Sequence, residues 1–77
     1  GGTEYTENLA AARLLLNSNI TTSDAVSLMK QFNVRPEMMV RQMVAEGYPD
    51  EDIIQFIELY TPKQDYRDSL YKYAYNK

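Results

Sequence analysis

The chain has 77 residues, a net charge of −3 and neither cysteine nor histidine. That length holds one domain, and the missing residue types exclude disulfide bracing, thiolate chemistry and the commonest general base and metal ligand. With 44% hydrophobic and 25% charged residues and a pI near 4.7, it reads as a folded, acidic domain that phosphate backbones and anionic lipids repel at long range.

The start, GGTEYTENL, lacks the basic and long apolar regions of a signal peptide, and residues 1–5 are expected to be disordered or left over from tag removal. The spacing then predicts a first helix over 6–17, with Ala11, Ala12, Leu15 and Leu16 on one stripe. Asn19 is expected to end it in a left-handed conformation, with Ile20 folding back on the last turn. Thr21 and Asp24 approximate a capping box for a second helix, 22–32, whose stripe is Ala25, Leu28, Met29 and Phe32. The sequence NVRP separates it from a third helix, 36–46, with Met39, Val40, Met43 and Val44 on a stripe. Gly47 is expected to take the left-handed stop, Tyr48 to fold back, and Pro49 to sit near the start of a fourth helix, 50–60, whose first turn carries Asp50, Glu51 and Asp52. Ile53, Phe56, Ile57 and Tyr60 form its stripe, TPK breaks the chain, and a fifth helix follows over 64–74. There Tyr66, Leu70 and Tyr73 are expected to face inward, and Tyr71 and Tyr75 outward.

Sliding the chain against itself by 28 positions aligns turn, cap and stripe of the first two helices with those of the next two. The expectation is therefore an all-α single domain, a small bundle of four to five short helices. It would be built from two similar hairpins, 6–32 and 36–60, and a C-terminal helix. No apolar run approaches the roughly 20 residues that span a bilayer, so no membrane contact is expected and the predicted location is cytoplasmic.

The chemistry of sites is thin. Counting from Asp50, the sixth residue is Gln55, where a calcium loop needs glycine. Two of the three glycines lie at the very start, so no phosphate loop can form. Ser18, Ser23, Ser27 and Ser69 have no histidine to activate them. The reading is a non-enzyme with no cofactor, no metal and no small-molecule substrate.

Interaction signals are stronger. Met38, Met39 and Met43 cannot all point inward from a helix buried on one face, since neighbouring residues lie about 100° apart, so Met38 is expected at the surface. Methionine adapts to partners and tyrosine offers contact area at low entropic cost. Four of the seven tyrosines lie between Tyr66 and Tyr75, and from Glu46 to Glu58 there are five acids and no base. The expected function is a protein–protein interaction module of a type compatible with a phage or bacterial accessory protein. Its contacts would come from Tyr71, Tyr75, Met38, Glu46, Asp50, Glu51 and Asp52.

Three local patterns resemble known families. LMKQFNVRPEMMVRQM, residues 28–43, is similar to the helix-turn-helix of bacterial repressors. That likeness implies the alternative function, a DNA-binding regulator with 36–46 as recognition helix and Arg35, Arg41 and Gln42 toward the groove. EGYPDEDIIQFI and its flanking helices, within 36–74, resemble the ubiquitin-associated domain through Gly47 and Tyr48, although Glu46 stands where that family carries methionine. NSNITTSDAVSLM resembles the SHOCT-like helical hairpin, which implies partner contact or oligomerisation and no catalysis.

Overall fold

The computed structural model describes residues 2–75, which form α1 (Gly2–Leu16), α2 (Thr22–Gln31), α3 (Pro36–Ala45), α4 (Asp50–Tyr60) and α5 (Gln64–Tyr75). The last four helices start fourteen residues apart, at Thr22, Pro36, Asp50 and Gln64, so the 28-residue likeness between hairpins is a double step of a shorter beat. No strand occurs among the described residues.

Each boundary has a local cause. The Thr21 hydroxyl oxygen accepts the Asp24 N–H at 3.1 Å and starts α2. Pro36 occupies the first turn of α3, where its missing N–H costs nothing. Pro49 is the N-cap of α4 and precedes the three acids of its first turn. Gly47, at φ 78°, closes α3 as expected, with the Tyr48 N–H donating to the Met43 carbonyl at 3.0 Å.

Two expectations about helix ends do not hold. Asn19 is not left-handed; the non-glycine residue with positive φ is Asn33, at 58°. Asn33 ends α2 by the same motif as Gly47, the Val34 N–H donating to the Met29 carbonyl at 2.8 Å. α1 closes instead through side chains: Asn17 Nδ2 donates to the Arg13 carbonyl at 2.9 Å and Ser18 Oγ to that of Leu14 at 2.6 Å. At its other end α1 begins at Gly2, so residues 2–5 are helical rather than disordered. Tyr5 is tied there by Arg41, whose Nη1 donates to the Tyr5 hydroxyl at 2.7 Å.

Packing interleaves the hairpins. α3 lies between α1 and α5, α2 packs on α4, and α4 also supports α3 and α5; the in-sequence pairs α1–α2 and α3–α4 touch as well. The molecule measures 28 × 27 × 24 Å. Met29, Met39, Val40, Ile53, Phe56, Ile57 and Leu70 are the largest fully buried side chains.

This arrangement corrects several side-chain expectations. Met38, Met39 and Met43 are all buried, because α3 has neighbours on several sides and not on one face only. Phe32 is 63% exposed, and Val26 takes its place in the core. On α5 the buried residues are Leu70 and Ala74, with Tyr71 packed against them, while Tyr66 and Tyr73 are exposed. The inward stripe is thus 67, 70, 71 and 74, one step away from the tyrosines that the spacing favoured.

Candidate protein-binding surfaces

The ends of α1, α2 and α4 meet around a cleft of about 340 Å³. The Asn33-type stop that Gly47 provides turns the chain so that Tyr48 lies half-buried on the core, forming one wall. Half-buried Leu15 and Leu16 line it as well, buried Met39, Met43 and Phe56 make the floor, and the more exposed Ile20, Thr22, Gln55 and Asp52 the rim. Asp52 is the one charged residue among these. Asp50 and Glu51 precede it in the first turn of α4, and Glu46, at the end of α3, holds Gln42 Nε2 at 2.9 Å. Of the acids singled out in the sequence, Asp52 therefore lines a cleft that the sequence did not reveal, Asp50 and Glu51 precede it in the same helical turn, and Glu46 stands apart on α3. Ile20 was legible as apolar, but nothing in the periodicity shows that Thr22 and Gln55 share a rim with it.

The remaining candidates scatter. Tyr75 is exposed and close to Asp50, the C-terminal end of α5 lying against the start of α4. Burial raises its hydroxyl pKa above the ordinary 10, and the Asp50 charge and hydrogen bond add to the rise. Tyr71 is half-buried and packs on the core, so it is not the free contact residue expected. Met38 is 5% exposed and cannot reach a partner.

The residues of the DNA-binding alternative are largely engaged within the fold. Arg41, besides holding Tyr5, stands 5.3 Å from the centre of the Tyr73 ring. Gln42 Oε1 accepts from Arg13 Nε at 3.3 Å. The Arg35 side chain is exposed, and its N–H donates to Asn8 Oδ1 at 2.9 Å. α3 runs between α1 and α5, so its solvent side is a narrow edge carrying Arg41, Val44 and Ala45. A recognition helix needs a broad free face to enter a major groove.

A second corner went unread in the sequence. Tyr60 packs edge-on against Tyr66 at 5.9 Å between centroids, and Lys30 Nζ sits 5.0 Å from the Tyr60 ring centre. Glu37 lines the same hollow, and its Oε1 is buried with no hydrogen-bond partner among the described residues. Burial, the Tyr66 hydroxyl and the Glu37 carboxylate together raise the Tyr60 pKa. Ordinary apolar spacing at Tyr60 masked this cluster, because the pattern identifies a core stripe and not what meets it from other helices.

Among the described residues no group of three acids converges to hold a metal ion, and no helix is long and apolar enough to cross a membrane. The Ser69 hydroxyl, like that of Ser18, donates to a helix carbonyl, that of Asp65, at 3.2 Å. No protein-family model, curated protein or solved structure matches the chain.

Proposed function

We propose that this protein is a non-enzymatic protein-binding module, and that its binding face is the acidic edge of α4 with the cleft beside it. The observation that carries the reading is the juxtaposition of a cleft floored by Met39, Met43 and Phe56 with Asp52 on its rim, Asp50 and Glu51 preceding Asp52 in the same turn. Apolar side chains in an open cleft lose contact with water only when something fills it, and charges at the rim select what approaches. Methionines in the floor allow the cleft to adapt to shape.

The test is capture from a native lysate on immobilised protein, followed by mass spectrometry, with a Glu51→Lys and Asp52→Asn double variant beside the original. The expected result is a protein retained by the original and lost by the variant. Equal retention by both would remove the acidic edge from the reading. Duplex DNA is the counter-test. Saturable, salt-sensitive binding at micromolar concentration, abolished by Arg41→Ala, would replace a protein partner with a nucleic acid.

A further inference from the structure

We infer that the occupant of the cleft is a basic segment of a partner protein, with one large apolar side chain inserted between Leu15, Tyr48 and Phe56 and with lysines or arginines on the rim. The inference rests on the protein-binding reading and adds the chemistry of the partner to it.

The charge balance around the cleft decides the sign. Two helix N-termini face it, those of α2 and α4, since Thr21, Thr22 and Asp52 all line it. Each contributes roughly +0.5 of a charge through the helix dipole. Against these stand four carboxylates in the first turns of the same helices: Asp24, Asp50, Glu51 and Asp52. The sum is clearly negative. The nearest base is Arg13, one turn before Leu16 and hydrogen-bonded to Gln42, and the sum stays negative with its charge included. Lys30 lies at the far end of α2, over Tyr60. An acidic or neutral polar segment would leave the negative charge of Asp24, Glu51 and Asp52 unanswered, whereas a basic one is both attracted from a distance and oriented on arrival.

The size fits a single anchor. At about 340 Å³ the cleft is at the low end of the roughly 300–1,000 Å³ that bind compact apolar groups. It is too small for a whole helix face, yet it admits one leucine, methionine or phenylalanine side chain. Ile20, exposed at the rim, and Gln55, exposed on α4, would lie along the flanks of the anchor.

Three synthetic peptides of equal length test this by titration against the isotope-labelled protein: leucine in a lysine background, leucine in a glutamate background, and serine in the lysine background. The Leu/Lys peptide should shift the amide signals of Ile20, Thr22, Tyr48 and Gln55 and leave Phe32 and Tyr66 unmoved. Replacing leucine by serine should weaken binding about tenfold or more, from the apolar burial lost. Asp52→Asn and Gln55→Lys should each weaken the Leu/Lys peptide about twofold to fivefold, as expected for one exposed charge. Equal binding of the Ser/Lys peptide would show adsorption by charge alone, equal binding of the Leu/Glu peptide a cleft without charge preference, and shifts centred elsewhere a different site. Each of these overturns the inference. A captured partner that binds Gln55→Lys as well as the original protein also overturns it, and leaves the broader reading of a binding module standing.

Discussion

Gly47 offers a measurement in which the backbone can be isolated from packing. A Cβ built at this position meets no atom within 4 Å, while φ is +78°. An L-alanine there suffers no collision with its surroundings, so its cost is the left-handed backbone itself, about 1–2 kcal/mol. Alanine also narrows the unfolded ensemble, which returns about 0.4–1 kcal/mol. Gly47→Ala should therefore destabilise by up to about 1.6 kcal/mol net, centred on about 0.8 kcal/mol. For a domain of this size that lowers Tm by about 2–8 °C. D-alanine, introduced by chemical synthesis, keeps the entropic gain and removes the backbone cost, so it should leave the protein about 1–2 kcal/mol more stable than L-alanine does. Thermal and urea unfolding followed by circular dichroism measure both. Equal destabilisation by the two enantiomers would refute the reasoning, because it would mean that the position resists any side chain and not a handedness.

Glu37→Met removes a buried carboxylate oxygen that lacks a partner. Relief of about 1–3 kcal/mol outweighs the loss of about 0.3–1 kcal/mol from an acid in the first helical turn, so urea unfolding should show a gain of about 1 kcal/mol, and a loss would contradict it. Arg67 Nε donates to the Thr61 carbonyl at 2.7 Å and Nη2 to that of Glu58 at 3.2 Å, closing the end of α4; Arg67→Met should cost about 2–3 kcal/mol, and an unchanged unfolding midpoint would show that the corner holds without it. The fold favours neutral Tyr60, so its pKa lies above the unfolded value of 10; the stability it contributes is complete below pH 10 and is lost as pH rises through the higher folded value. Tm measured between pH 9 and 12 should accordingly fall less steeply in Tyr60→Phe, and parallel curves would exclude this residue as a cause.

Local features were legible in the sequence where their cause is local. The Thr21 cap, the Gly47 stop and the starts of α2, α3, α4 and α5 depend on residues within a turn of each other, and all appear where the residue types placed them. Asn19 was misread as a left-handed stop, and the asparagine that takes that conformation, Asn33, is held by a neighbouring helix: Asn8 on α1 donates to the Asn33 carbonyl at 3.0 Å and accepts from the Arg35 N–H. The burial of Met38 was not legible for a related reason. Helical periodicity identifies an apolar side on the premise of one neighbour, and α3 has several. On α5, tyrosine misled because it scores as apolar yet keeps its hydroxyl in water. The candidate site divides in the same way: Asp50, Glu51 and Asp52 are contiguous in sequence, whereas the cleft is assembled from three helix ends that only the tertiary fold brings together.

The interleaving of the helices has a consequence for biosynthesis. α3 is sheltered by α1, which precedes it, and by α5, which is made after α4. A growing chain that has released α1 to α4 still presents the flank of α3 and the apolar residues of α4 that Leu70 and Ala74 will cover. The first hairpin is no refuge, because α2 packs on α4 more than α1 secures it. Domains emerging from the ribosome fold as units once their contacts are available, and for this protein that moment comes only when α5 is free. The helices are short and form on local contacts, but each main partner lies two helices away along the chain, so docking awaits the later elements. The interval of exposure is set by translation, and the flank of α3 is what a nascent-chain chaperone would meet.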